Sequence, residues 1–151
     1  MAENYRFRLQ KLLDIRKDFE DKSKIKFIEA QREKNIIEDK LNNLKETYKI
    51  NRNIDAYEPL LQQKMRQNYL NALNLAINET SLDLDDKDKI LDQKREKLKQ
   101  CQVDKKTVEI LKEKQKSAFL NEQNLIEQKT NDEFALYAFI RNNHGKGGEK
   151  R

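Results

Sequence analysis

The sequence predicts an all-α protein in which two long helices form an antiparallel coiled-coil hairpin, the second helix much longer than the first. Three observations point to it. The 151 residues include only three Gly and one Pro, so little interrupts a helix. They are 39% charged and 36% apolar, below the roughly 45–50% apolar content of a globular domain, which confines burial to a narrow seam. Apolar residues also recur at a seven-residue step, the signature of helices wound on one another. Disorder competes with this reading on polarity alone, but disordered chains are usually rich in the Pro and Gly that this one lacks.

The first segment, from about residue 5 to 50, carries its seam on Phe27, Ala30, Ile37, Leu41, Leu44 and Tyr48. The seam reaches back to Leu13 and Leu9 only through polar Arg16, Glu20 and Ser23. At the very start, Tyr5, Phe7 and Leu9 alternate with Arg6 and Arg8. That alternation is too short for a strand, and the stretch reads as the frayed first turn of the helix.

The turn is placed at about 51–58. Asn51, Asn53 and Asp55 favour turns, and Pro59 suits the first turn of a new helix, where its missing N–H costs nothing. The second segment, about 59–141, holds Leu70, Ile77, Leu84, Leu91, Leu98, Lys105, Lys112, Phe119 and Ile126 at strict seven-residue steps. Leu73, Cys101 and Val108 fill the half-steps. Residues 1–144 are thus expected to form a single hairpin domain, with 145–151 as a flexible basic tail.

A turn centred near Asp55 makes facing residue numbers add to about 110, so Leu9 faces the neighbourhood of Cys101. The second helix from Gln102 to Arg141 is then left without an intramolecular partner, an overhang of about 60 Å at ~1.5 Å per residue. It nevertheless keeps Val108, Leu111, Phe119, Ile126, Phe134, Tyr137 and Ile140. Either it folds back near Gln115–Ser117 or another protein covers it, a second copy included.

Chemistry is sparse. His144 is the single histidine and lies among glycines without a positioned partner. Cys101 occupies a seam position, which suits a small buried side chain better than a nucleophile, and alone it makes no intramolecular disulfide. "HGKGG" lacks the spacing of a phosphate loop. Asp83, Asp85, Asp86 and Asp88 lack the glycine and terminal Glu of a calcium loop. No enzyme, cofactor or metal site is expected.

No stretch reaches the roughly 18 apolar residues of a membrane span, and no signal-peptide core opens the chain, so a cytoplasmic protein is expected. Charge is blocky. Glu79–Asp88 carries five acids against Lys87, whereas Lys94–Lys116 carries nine bases against four acids. Alternating blocks suit helix faces that select protein partners. Arg6, Arg8, Lys11, Arg16 and Lys17 beside Tyr5 and Phe7 are the best nucleic-acid candidates, but no base-reading fold accompanies them.

"FRLQKLLDIRKDFEDKSK" (Phe7–Lys24) followed by "EAQ" (Glu29–Gln31), "REKL" (Arg95–Leu98) and "EQKTNDEFALYAFIR" (Glu127–Arg141) occur in this order along the chain. Together they resemble the flagellar export protein FliJ family across essentially its whole length. The resemblance implies a stalk-like antiparallel coiled coil, similar to the rotor shaft of rotary ATP synthases. It also implies three partners: the hexameric ATPase of the flagellar type III export apparatus, the cytoplasmic domain of the export-gate protein, and export chaperones. Carried over residue by residue, Leu9, Gln10, Leu13, Arg16, Lys129, Asp132, Glu133 and Phe134 are candidate ATPase-ring contacts. Tyr69, Leu73, Ala76 and Thr80, on one helix face, are candidate export-gate contacts, although Leu73 also falls in the seam and Thr80 stands where some relatives have a polar aromatic residue. The expected location is the cytoplasm, peripherally associated with the inner face of the cell membrane. The alternative is a generic homodimerising coiled-coil adaptor, or the equivalent stalk of a virulence-type secretion system.

Overall fold

The computed structural model describes residues 5–53 and 57–145. Among them are two helices, α1 (Gln10–Arg52, 43 residues) and α2 (Leu60–Gly145, 86 residues), and no strand. They form a helical hairpin with a longer second helix. The turn centre at Asp55 and the tail beyond Gly145 lie outside the described residues.

Local chemistry sets the helix ends. Pro59 immediately precedes α2, and its carbonyl accepts the amides of Gln62 (2.9 Å) and Gln63 (3.1 Å), satisfying donors that a helix start leaves open. The Gln63 side chain donates to the Glu58 carbonyl at 3.0 Å. At the other end of the connection, Lys49 and Arg52 occupy the last turn of α1, where positive charge complements the helix dipole.

The chain divides into two compact units, Ile15–Lys105 and Met1–Asp14 with Lys106–Arg151. In the Ile15–Lys105 unit, α1 buries Ser23, Ala30 and Leu41, while α2 buries Leu70, Leu73, Thr80 and Leu91. Phe27, Ile37, Leu44 and Tyr48 on α1, and Ile77, Leu84 and Leu98 on α2, are half-buried at the matching heptad positions. The side chains therefore keep the seven-residue repeat of a left-handed coiled coil, each buried Leu contributing about 1.5–3 kcal/mol.

The pairing register differs from the expected one. Arg16 faces Asp104, Lys34 faces Asp88 and Tyr48 meets Asn74, so facing numbers add to about 120–122 rather than 110. The cause is the connection. Arg66 Nη1 donates to the Asn53 carbonyl at 2.6 Å, and the same guanidinium pairs with Glu58. The first turns of α2 are thus opposed by the connection rather than by α1, and Leu60, Leu61 and Met65 there are exposed.

The polar gap in the α1 seam is matched across the hairpin. Arg16 pairs with Asp104 at 2.8 Å, Glu20 with Lys105 at 2.5 Å, and the Ser23 hydroxyl lies 3.4 Å from the Cys101 thiol. Three successive layers of α1 therefore find polar counterparts on α2. A polar layer inside an apolar seam fixes register, because sliding by one heptad would set charge against leucine.

The unit of Met1–Asp14 with Lys106–Arg151 corrects two expectations. α1 opens at Gln10, not near Tyr5, and residues 5–7 are non-helical. Tyr5 donates through its hydroxyl to the Lys112 carbonyl at 3.2 Å and packs its ring against Phe119, the centroids 5.7 Å apart. Phe7, Leu13 and Val108 form one buried cluster. The Lys112 ammonium lies 5.9 Å from the Phe7 ring and donates to Gln10 Oε1 at 2.8 Å. The short alternation is real: Tyr5 and Phe7 turn inward, and Arg6 and Arg8 turn to solvent. As a result α2 has an intramolecular partner out to Phe119, where none was expected beyond Gln102. α2 also stays helical through Gln115–Ser117, so it does not fold back there.

Candidate partner-binding surfaces

A partner-binding protein acts through surfaces it leaves uncovered, so burial sorts the candidate residues. Of the four N-terminal ring candidates, three have intramolecular work. Leu13 is only 2% exposed inside the Phe7–Val108 cluster. Gln10 accepts from Lys112 and donates to Asp14, and Arg16 holds Asp104. Leu9 remains exposed. The question left by the repeat, whether Leu9 and Leu13 face their own second helix or a partner, thus divides between the two residues.

The C-terminal candidates share one environment. Lys129, Asp132, Glu133 and Phe134 are all exposed on α2 beyond Phe119, and none forms an ion pair among the described residues. They lead into Phe134–Ile140, seven consecutive apolar residues. Phe134, Leu136, Tyr137, Phe139 and Ile140 are each at least 43% exposed. At about 100° of rotation per residue, seven in a row cover every face of the helix rather than one stripe. A helix apolar all round is ordinarily a buried one. The pattern is visible in the sequence as "FALYAFI", although only its Phe134 entered the residue-by-residue comparison.

The export-gate candidates divide in the same way. Leu73 (7% exposed) and Thr80 (5%) point into the hairpin, the Thr80 hydroxyl donating to the Ala76 carbonyl at 2.7 Å. Ala76 is half-buried, and Tyr69 alone is exposed. The i, i+4, i+7, i+11 face is therefore the hairpin's own seam at two of its four positions. On the outer side of α2, Leu61, Met65, Leu75 and Leu82 are exposed instead.

No catalytic grouping emerges among the described residues. No group of three or more His, Cys, Asp or Glu side chains could hold a metal ion. Cys101 is half-buried beside Ser23, with no base in hydrogen-bond reach. Glu33 is held below the usual carboxylate range by a hydrogen bond from the Lys87 ammonium and by its charge, and Lys34 is raised above the usual lysine range by its bond to Asp88. Both are exposed ion pairs across the hairpin at 2.6 and 2.8 Å, not tuned acids or bases. No helix of the described residues is long and apolar enough to cross a membrane.

Comparison with known proteins returns no matching curated protein and no matching solved structure. A family model does match: "Flagellar FliJ protein" aligns with residues 5–144, a span that takes in the inward-turned N-terminal segment, both helices and the exposed apolar end. The chain therefore belongs to the flagellar FliJ protein family and is a coiled-coil component of the flagellar protein export apparatus.

Proposed function

We propose that this chain is a non-enzymatic stalk that inserts the free end of α2 into the ring of the hexameric export ATPase and links that ring to the export gate and to export chaperones. One observation carries the reading: Phe134–Ile140 is apolar on every face, and all of it but the half-buried Ala138 is exposed. A flat membrane, a single partner helix or a two-fold copy covers one face of a helix and leaves the others wet. An encircling socket covers all of them. The ring reading supplies such a socket, and it agrees with family membership and with the exposure of Lys129, Asp132 and Glu133 just before the apolar turns.

The export-gate contact is proposed for Tyr69 together with the adjoining outer face of α2 rather than for Leu73 and Thr80, which the hairpin already uses. The protein is expected to work in the cytoplasm at the inner face of the cell membrane, held there by its partners.

The test is a turnover assay of the cognate export ATPase with and without the chain. Wild-type chain is expected to stimulate hydrolysis, and L136E/F139E, which alters only exposed side chains, is expected to abolish the stimulation while leaving helicity unchanged. Equal stimulation by both proteins would remove the ring reading. Sedimentation at low concentration tests the homodimeric adaptor: a tight dimer that L136E/F139E dissociates would put a second copy, not a ring, on this surface.

A further inference from the structure

The N-terminal segment builds a charged cleft whose three cations the proposed function does not use. Arg6, Phe7, Arg8, Gln10, Lys11 and Asp14 line an open cleft of about 620 Å³. Tyr5 and Phe7 are fastened inward, by the bond to the Lys112 carbonyl and by burial beside Leu13 and Val108. The alternating backbone therefore holds Arg6 and Arg8 outward from a fixed base, and Lys11 joins them from the first turn of α1. Arg6, Arg8 and Lys11 are all exposed, and none has an ion-pair partner among the described residues. The one acid in the cleft, Asp14, accepts a hydrogen bond from Gln10 Nε2 at 2.9 Å.

We infer that this cleft takes an acidic segment of a protein partner, its carboxylates bound by the forks of Arg6 and Arg8 and by the Lys11 ammonium. On the reading proposed above, that partner is the export ATPase. The guanidinium forks can hold a carboxylate in a bidentate geometry, as they can a phosphate, and two features favour protein carboxylates over nucleic acid. The aromatic rings that would stack on bases are unavailable, since Phe7 is buried and Tyr5 packs on Phe119. The cations converge on one compact cleft, whereas phosphate tracking uses a basic stripe along a surface. Fastening the backbone before binding also removes part of the ordering cost that a loose basic arm would meet.

The test has two arms. In the first, a fluorescein-labelled oligoglutamate peptide is titrated by anisotropy against wild type, R6Q/R8Q/K11Q and a control with the same charge loss, K22Q/K24Q/K26Q, whose lysines are exposed on α1. The cleft variant is expected to lose about tenfold or more in affinity, the control less than about threefold, with helicity unchanged in both. Equal losses would overturn the proposal, because the peptide would then be reading net charge alone. Tighter binding of an oligothymidylate of equal length would overturn it too. In the second arm the same variants are titrated against the cognate export ATPase. Weaker binding by the cleft variant alone supports the assignment, and wild-type affinity in that variant refutes it. If wild-type chain does not bind the ATPase at all, the ring reading fails, and the peptide arm by itself decides the chemistry of the cleft.

Discussion

Removing the Glu20 carboxylate while keeping Lys105 tests whether the polar layer is a structural element or an accident of the surface. The two groups meet at 2.5 Å, with side chains 16% and 25% exposed respectively, between layers made by Arg16 with Asp104 and by Ser23 with Cys101. That burial sits between two measured regimes. Exposed pairs contribute about 0–1 kcal/mol, and breaking a fully buried pair costs about 3–5 kcal/mol. Each of E20L and K105L should therefore destabilise by about 1–3 kcal/mol, because each leaves the opposite charge in the seam facing a leucine side chain. The double variant E20L/K105L replaces both desolvated charges with apolar contact. It should return to within about 1 kcal/mol of wild type, on either side.

The assay is a double-mutant cycle read by thermal and urea unfolding with circular dichroism. At roughly 2–4 °C per kcal/mol for a chain of this size, each single variant should melt about 2–12 °C lower. Additive single effects, with the double variant as unstable as their sum, would refute the idea that these side chains stabilise as a pair. Restored stability should come with weaker specification of register, since the slip of seven residues that sets position 20 against Leu98 would no longer bury a charge.

Other expectations follow from named side chains. L91A, at 3% exposure in the seam, should cost about 2–4 kcal/mol by urea unfolding, and a loss below about 1 kcal/mol would argue against close packing there. F7A with Y5A should release the N-terminal segment and speed tryptic cleavage after Arg6 and Arg8 severalfold, with little change in total helicity, because residues 5–7 are not helical. The lowered Glu33 contributes stability that is fully present above the ordinary glutamate value and is lost as pH falls through its depressed one; the difference in melting temperature between wild type and K87A should therefore vanish in acid. Lys34, raised by Asp88, contributes below the ordinary lysine value and loses that contribution as pH rises through its elevated one. The gap between wild type and D88N should accordingly close only in strong base.

The helices and their seam were legible because the heptad repeat records burial directly: Leu70, Leu73, Leu91 and Val108 occupy the positions that their spacing assigned. Register was not legible, because it depends on how the connection is held. The Arg66 bond to Asn53 and its pairing with Glu58 displace the facing pairs by about ten residues, and neither contact leaves a periodic trace. The N-terminal stretch failed for a related reason. Its alternation was visible, but three residues are too few to outweigh the helical pattern that follows, and only the position of Lys112 and Phe119 shows what Tyr5 fastens to. Among the candidate contacts, family likeness marked Leu13, Leu73 and Thr80 without separating packing from recognition. Burial makes that separation.

Cys101 gives the hairpin a built-in chemical clock. Its thiol is half-buried in the seam beside Ser23, within the polar layer, and it is the single cysteine of the chain. A thiol reagent therefore reads this one layer, and the ratio of its rate in the native chain to its rate in urea measures how far the packing of α1 on α2 shields the sulfur there. Any binding event that strains this layer before the leucine layers would register as faster modification of one sulfur atom, with no label to install.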